Sequence, residues 1–164
     1  MICTVASNGK EFAPGVLNEN EEPITTIKSA LRNNIWKLFT KGYNEFNSNT
    51  EMGVPLWAGS IVTALAMYNE ISFNAVIPFE EQTTTWPEEQ RDVYFSVHEK
   101  AETSTLLNTA YEEDCYRQAD EYMINDSDAL LYFGSAKDDC HILKLAKERG
   151  LKIFIFNEDS PEIK

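Results

Sequence analysis

Short apolar runs alternate with segments of helical periodicity along this chain, and the stretch 121–134 shows the alternation most clearly. A polar turn at 125–128 is followed at 129–133 by ALLYF, an apolar run without polar alternation. Such a run is typical of a parallel strand that is covered on both faces. Gly134 and Ser135 then permit a tight exit of the backbone. Because open α/β sheets bind ligands at the carboxyl ends of their strands, we expect a site at the loop 134–139.

The same pattern along the rest of the chain predicts a parallel α/β sheet in a single domain spanning residues 1–164. Strands are predicted at 1–6, 43–46, 73–78, 103–107, 129–133 and 152–156. Helices are predicted at 24–41, 53–69, 87–100, 115–124 and 139–149. Thr25 or Thr26 is expected to cap the first helix, and Asp138 or Asp139 the last one.

Composition narrows the possible partners. The formal net charge is -13, from 27 acidic and 14 basic residues, and such a surface repels a DNA duplex or a membrane. We therefore expect no direct nucleic acid binding and no membrane binding, and no apolar run approaches the roughly 18 residues of a membrane span. Cys3, Cys115 and Cys140 show no CxxC spacing, which indicates reduced thiols in a cytoplasmic protein without a metal site. No cofactor is expected.

Several sequence blocks resemble the YpsA-like proteins in order and spacing along nearly the whole chain. They are GV at 53–54 with LWA at 56–58, AVIPFE at 75–80 with Gln82 and WPE at 86–88, Tyr111 with CY at 115–116, EYM at 121–123, and SDAL at 127–130. These proteins belong to the SLOG superfamily, which is related to the DNA-processing protein DprA and to the cytokinin-activating LOG enzymes. The resemblance implies an α/β Rossmann-like three-layer fold, with a mostly parallel sheet and helices on both faces.

The resemblance also implies a pocket for a nucleotide or a nucleotide-derived ligand at the strand ends. LOG enzymes cleave the N-glycosidic bond of a nucleoside monophosphate. Other SLOG domains are thought to sense NAD-derived or cyclic nucleotide signals in bacterial defence. A binding role of this kind, in defence or counter-defence, is therefore one of the functions that the resemblance implies.

The chain departs from the family pattern at the loops that matter for phosphate binding. Asn49 stands near a usual glycine, Pro55 near a usual aspartate, and AD at 119–120 replaces a usual Arg-Asn pair. The usual Gly-Gly-Thr phosphate loop is replaced by DDC at 138–140. Glycines let backbone N–H groups approach a phosphate, whereas two carboxylates repel it. We therefore expect ribose hydroxyls rather than a phosphate beside Asp138, because carboxylates accept hydrogen bonds from hydroxyls.

The candidate pocket is walled by the loops 7–10, 49–53, 79–86 and 134–138. The residues assigned to ligand binding are Ser7, Asn8, Gly9, Lys10, Asn49, Thr50, Glu51, Gly53, Pro78, Phe79, Glu80, Gln82, Trp86, Arg117, Gly134, Ser135 and Asp138. No catalytic and no metal-binding residue is assigned.

Individual roles within this set have alternatives. Glu51 and Glu80 could form an acid–base pair at adjacent strand ends, although two solvated loop glutamates are favoured. Trp86 could stack a nucleobase, whereas Trp57 is expected in the core. Lys10 and Arg117 could meet a phosphate or could be exposed surface residues. His98 is expected at the surface, and Cys140 is interpreted as structural.

Three function classes follow from these residues. We favour a module that binds or sequesters a nucleotide-derived small molecule, of the NAD-derived or cyclic nucleotide type, without catalysis. The alternatives are a LOG-like nucleoside monophosphate N-glycosidase and an acidic protein that mimics nucleic acid. The lost glycine loop counts against the enzyme, and only the charge of -13 supports mimicry. Aromatic residues on the helices, including Trp36, Tyr94 and Phe95, further predict a homodimer or a dimer of dimers.

Overall fold

The computed structural model describes residues 1–12 and 20–164. Within them the chain forms a six-stranded sheet in the order β4-β3-β2-β1-β5-β6, in which every pair of neighbours is parallel. The strands are β1 (Ile2–Ser7), β2 (Glu45–Ser48), β3 (Ser72–Ile77), β4 (Thr103–Leu106), β5 (Ala129–Phe133) and β6 (Lys152–Phe156). The helices are α1 (Ile24–Thr40), α2 (Val54–Leu65), α3 (Glu88–Lys100), α4 (Cys115–Asp126) and α5 (His141–Glu148). The predicted α/β Rossmann-like fold with a parallel sheet is confirmed.

The order of the strands determines where a ligand site is expected. From β1 the chain moves outward through β2 and β3 to the edge strand β4, and it then returns to place β5 beside β1. Cys3 pairs with Ala129, and Ser7 pairs with Phe133. The loops after β1 and β5 therefore lie at the point where the strand order reverses, which is the usual ligand crevice of an open α/β sheet.

Two apolar clusters cover the two faces of the sheet. The larger cluster joins α1, α2 and α3 to one face, with Leu31, Phe46 and Phe73 almost fully buried. The smaller cluster joins α4 and α5 to the other face through residues such as Met123, Tyr132 and Leu143. All five side chains of β5 are buried, because this strand lies inside the sheet with helices on both faces.

The cap of α1, the end of α2 and the bounds of β2 differ from the predictions. α1 has Pro23 as its N-cap residue, and the Thr25 and Thr26 hydroxyls instead donate to the Glu22 side chain. α2 ends at Leu65 rather than at 69, because the Met67 and Tyr68 N–H groups bond three residues back in tight turns. Tyr68 is 86% exposed. β2 begins at Glu45 and continues to Ser48, so the weak segment predicted at 43–46 is shifted along the chain.

The surface carries some of the aromatic side chains expected there. Trp36 and Phe95 are exposed, whereas Tyr94 is buried. The predicted homodimer or dimer of dimers stays a prediction, because exposed side chains alone do not show an interface.

The three cysteines are free thiols. Among the helices of the described residues, none has the length and apolar character that a bilayer crossing requires.

Candidate functional site

The loops after β1 and β5 are joined by one carboxylate. Asp138 Oδ2 accepts hydrogen bonds from Asn8 Nδ2 at 3.0 Å, from the Tyr132 hydroxyl at 3.1 Å and from the Ser135 backbone N–H at 2.9 Å. The Ser135 bond is the largest of the effects that lower the pKa of Asp138. A Cβ on Gly134 would overlap the same oxygen. Only glycine at 134 leaves room for this carboxylate.

Asp138 and Asp139 do not cap α5. Its N-cap residue is Cys140, which makes no side-chain cap hydrogen bond. Asp138 turns back toward β1, and the exposed Asp139 forms an ion pair with Lys144. The expected ribose contact at Asp138 has less support in this geometry, because Oδ2 already accepts three hydrogen bonds.

The loop after β2 is held by buried polar contacts. Thr50 is fully buried with a positive φ of 54°, a conformation that costs about 1 kcal/mol or more in a residue other than glycine. Gln82 Nε2 donates to the Asn49 carbonyl at 3.0 Å, and Thr50 Oγ1 lies 3.4 Å from Gln82 Oε1. The predicted site residues Asn49, Thr50 and Gln82 are therefore in mutual contact.

His98 supports the same loop from α3. Its Nε2 lies 3.3 Å from Thr50 Oγ1, its Nδ1 lies 3.2 Å from Ser104 Oγ, and its ring packs 4.1 Å from the ring of Tyr94. Burial lowers the pKa of His98 to about 4. The expected surface histidine is instead a half-buried neutral residue that helps to hold Thr50 in its strained conformation.

A row of aromatic rings leads from Glu51 to the solvent. The Tyr116 hydroxyl donates to Glu51 Oε2, and the Met52 backbone N–H donates to Oε1 at 3.0 Å. The Phe79 ring lies edge-on to Tyr116 at 6.1 Å and to Tyr111 at 5.2 Å. Tyr111 is 64% exposed. We call Glu51, Phe79, Tyr111 and Tyr116 the aromatic–carboxylate cluster.

A buried carboxylate that the sequence analysis missed lies beside this cluster. Glu11 is 2% exposed, and its Oε1 accepts a hydrogen bond from Ser7 Oγ at 3.1 Å. Burial raises the pKa of Glu11, hydrogen bonds from Ser7 and from the Val54 backbone N–H lower it in part, and the charge of Glu51 raises it further. The only sequence signal was its place just after the first strand-end loop, and burial cannot be read from such a position.

Glu51 and Glu80, for which two solvated loop glutamates were favoured over an acid–base pair, lie in different environments. Glu80 is exposed, and its backbone N–H donates to the Asn108 carbonyl at 3.1 Å. The charge that acts on Glu11 is that of Glu51. Glu11 is buried and Glu51 is bound by a tyrosine hydroxyl, so these two carboxylates also have different environments.

Three other predicted residues lie apart from the cluster or pack elsewhere. Trp86 packs edge-on against Tyr94 at 5.6 Å and contacts the core on the α1–α3 face, which leaves less of its ring for a base. Arg117 is exposed on α4, where its charge lowers the pKa of Asp120. Trp57 is 2% exposed and belongs to the core, as expected.

The remaining predicted residues lie in the loops that follow β1, β2 and β3. Gly9 has a φ of 78°, Lys10 is exposed, and the Lys10 backbone N–H donates to Asn8 Oδ1 at 3.0 Å. Pro78 is buried, and its carbonyl accepts from Asn108 Nδ2 at 3.1 Å. Gly53 is the N-cap residue of α2, with a φ of 105°. These loops offer carboxylate acceptors and the exposed Lys10, and the aromatic–carboxylate cluster adds the exposed ring of Tyr111.

Comparison with known proteins agrees with the resemblance seen in the sequence. The YpsA family model, described as the YspA SLOG family, matches residues 8–146. The UPF0398 protein BH1768 of Halalkalibacterium halodurans is 30% identical over 141 residues, which cover 82% of this chain and 75% of that protein. A UPF0398 protein of Staphylococcus aureus is 25% identical over 135 residues, which cover 80% of this chain and 72% of that protein. The predicted resemblance to YpsA-like SLOG proteins is confirmed.

A solved structure shares the fold. DNA processing protein A from Helicobacter pylori matches with a TM-score of 0.60 at 14% sequence identity, over 94% of this chain and 65% of that protein. This chain therefore spans just under two thirds of that protein's length. The structure of that protein was described for its unique single-stranded DNA binding mode.

That finding corrects one expectation. The argument against direct nucleic acid binding rested on the net charge of -13, which is an average over the whole surface. A protein of the same fold binds single-stranded DNA, and local aromatic faces and groove charges govern such binding. The expectation of no direct nucleic acid binding was therefore wrong.

Proposed function

The chain belongs to the YpsA family of SLOG proteins, and on that premise we propose that it binds and sequesters a nucleotide-derived small molecule at the carboxyl end of its sheet. The ligand is of the NAD-derived or cyclic nucleotide type, and it is held without being turned over. The site lies at the carboxyl ends of β2, β3 and β4, on one side of the β1/β5 strand reversal. A role in bacterial defence or counter-defence would suit a protein that captures such a signal.

The observation that carries this proposal is the aromatic–carboxylate cluster. An exposed aromatic face next to a hydrogen-bond acceptor suits a ligand that combines a planar base with hydroxyl or amino donors. Stacking on an aromatic face contributes roughly 1 to 3 kcal/mol per base. Tyr111 supplies the exposed ring, Phe79 fixes it edge-on, and Glu51 supplies the acceptor.

Capture rather than hydrolysis is supported by the loop after β5. A phosphate loop would present free backbone N–H groups at the start of a helix. Here the Ser135 N–H donates to Asp138, and a carboxylate occupies the turn. A nucleoside monophosphate has no cradle there to fix its phosphate, and orientation of that kind supplies much of the rate of an enzyme.

The binding test includes single-stranded DNA, because DNA processing protein A shares the fold and binds single-stranded DNA. The bases of a single strand could stack on Tyr111 in the same way as the base of a small ligand. The two ligand types differ in salt dependence, since a strand releases counterions from several phosphates and a small ligand from few.

The test is calorimetric titration of the protein with ADP-ribose, cyclic di-AMP, AMP and a short oligothymidylate. We expect ADP-ribose or cyclic di-AMP to bind, and Tyr111→Ala to weaken that binding by about tenfold or more, since one stacked base is lost. Tyr122→Ala is the matched control, because Tyr122 is also an exposed tyrosine but lies on α4 outside the cluster. The control should bind like the wild type.

Other outcomes would overturn the proposal. Binding of the oligothymidylate alone would identify a single-stranded DNA-binding protein instead. Release of free adenine from AMP, detected by chromatography, would establish the N-glycosidase alternative. If no nucleotide binds the wild type, or if Tyr111→Ala binds unchanged, the cluster is not the site.

A further inference from the structure

We propose that the outer edge of β6 is a self-association surface, at which two copies of the chain pair their β6 strands antiparallel across a two-fold axis. The two six-stranded sheets then join into one continuous sheet. This surface lies at the opposite edge of the sheet from β4, and the inference does not depend on which ligand the proposed site binds.

The first support is a set of backbone groups on β6 that point away from the sheet. The Gly134 N–H donates to the Phe156 carbonyl at 3.0 Å, so Phe156 directs its backbone groups toward β5. Because this direction alternates along a strand, the N–H and carbonyl groups of Ile153 and Ile155 point to the outer edge. These groups have no hydrogen-bond partner within residues 1–12 and 20–164. An edge of this kind is a template for a further strand.

The second support is a groove that keeps this edge accessible. The segment 157–164 turns back after β6 and is fastened to α1, where the Ile163 N–H donates to Asn34 Oδ1 at 3.1 Å and the Ile163 side chain is buried in the larger cluster. The segment makes no backbone hydrogen bond to Ile153 or Ile155. A groove of about 360 Å³ lies between the segment and these two residues, so the outward groups face open space.

The third support is the apolar character of the strand. β6 has the sequence KIFIF, with its one charge at the start, and it pairs with β5 without a bulge. Edge strands are usually protected from pairing by charges, prolines or bulges, and the other edge strand, β4, is the mostly polar TSTL. Ile153 and Ile155 are partly exposed. Antiparallel pairing sets Ile153 of each copy opposite Ile155 of the other, which buries both.

The occupant is a second copy because this edge is complementary to itself. Ile153 and Ile155 lie symmetrically about Phe154, so a two-fold axis at Phe154 brings each outward N–H to an outward carbonyl. Residues 147–152 include three basic residues and one acidic residue, whereas residues 158–162 include three acidic residues and no basic one. All of these charged residues are exposed. Antiparallel pairing places the basic end of each strand beside the acidic end of the other, where opposite charges attract.

The first experiment is sedimentation velocity of the wild type, Ile155→Pro and Ile155→Val at about 5 to 200 µM. We expect the wild type to form dimers as the concentration rises. Proline removes an N–H that bonds to nothing in the described part of the chain, so the fold should persist while the dissociation constant of the dimer rises about tenfold or more. Ile155→Val keeps the N–H and a β-branched side chain, and it should dimerise like the wild type.

A charge exchange tests whether the partner is a second copy. Lys152→Glu should raise the dissociation constant about fivefold, because like charges then meet at both ends of the paired strands. Adding Glu158→Lys to the same chain restores opposite charges and should return the constant to within about twofold of the wild type. Failure of the second change to restore dimers would contradict self-pairing at this edge.

Amide exchange measured by NMR locates the interface in the wild type. The N–H groups of Ile153 and Ile155 should exchange more slowly at high protein concentration, whereas that of Phe154, which faces β5, should not change. A dimer without this protection would overturn the proposal, as would a dimer that persists in Ile155→Pro when circular dichroism shows that the variant folds. A wild type that stays monomeric over the whole range would also overturn it, and would leave the edge to an extended segment of another protein.

Discussion

The half-buried His98 side chain helps to hold the loop that follows β2. His98 lies between Thr50 and Ser104 and packs on Tyr94, so it is surrounded by hydroxyls and an aromatic ring rather than by water. An imidazole in that position favours its neutral form, because burial disfavours the charge. The strained backbone at Thr50 is one of the features that this packing maintains.

We expect the free energy of unfolding to fall as the pH is lowered, because the His98 side chain takes up a proton more readily in the unfolded chain than in the folded protein. Its folded pKa, about 4, lies below the ordinary value of about 6.5. The unfolded chain therefore binds the proton first as the pH drops, and stability that is present above about pH 6.5 is lost toward pH 4. Because the ring is partly exposed, the loss between about pH 7 and pH 5 should be about 1 kcal/mol rather than the full linkage value.

Chemical denaturation of His98→Gln across that range is the measurement. The variant cannot titrate there, so its free energy of unfolding should change less with pH than that of the wild type. Ser96→Ala is the control, because it lies on the same helix and removes no ionisable group, and it should keep the pH dependence of the wild type. An equal pH dependence in the wild type and in His98→Gln would contradict the assignment.

At the scale of elements, α2 approaches the sheet and α3 through a glycine. A Cβ on Gly59 would lie 2.7 Å from Val97 Cγ1 and 2.9 Å from Phe73 Cε2. Both neighbours are almost fully buried, so neither can move away without disturbing the core. The close packing of α2 brings its N-terminus, with Gly53 and the neighbouring Glu51, to the carboxyl ends of β1 and β2.

Gly59→Ala should therefore destabilise the protein. Alanine favours a helix over glycine by about 1 kcal/mol, whereas overpacking a filled core costs roughly 1 to 3 kcal/mol. We expect the second effect to win, with a net loss of about 1 kcal/mol in urea-induced unfolding. Ser60→Ala, at an exposed position of the same helix, should be neutral or slightly stabilising. A Gly59→Ala variant more stable than the wild type would contradict the close packing of α2 against Val97 and Phe73.

At the scale of the whole molecule, the charge of -13 acts on stability as well as on partners. Like charges on a compact surface repel each other, and that repulsion weakens when salt shortens its range. The acidic run 112–114, in the described segment between β4 and α4, is entirely exposed and contributes to this field.

We expect the thermal midpoint to rise by about 3 °C between about 20 and 300 mM sodium chloride, because screening relieves the repulsion. Glu113→Lys lowers the net negative charge by two and should raise the midpoint at low salt and reduce the response to salt. Scanning calorimetry of both proteins checks this. A midpoint that falls with salt would mean that attractive ion pairs, not repulsion, dominate the surface.

The sequence by itself determined the elements and their class. The apolar run at 129–133 predicted β5 with its observed bounds, because a strand covered on both faces needs uninterrupted apolar residues. The run at 152–156 predicted the bounds of the edge strand β6, in which Phe154 and Phe156 are the buried residues. Helical periodicity located α1 and α3 to within one residue at each end. Both signals are local, and tertiary packing changed the bounds of these elements little.

Only the tertiary structure decided which polar side chains meet. Glu11 is close to Glu51, His98 contacts Thr50, and Asp138 joins β1 to β5. These partners are separated by between 40 and 130 residues along the chain, so no local pattern records them. Burial, which raises the pKa of Glu11 and keeps the His98 ring neutral, arises only when helices and sheet close over these groups.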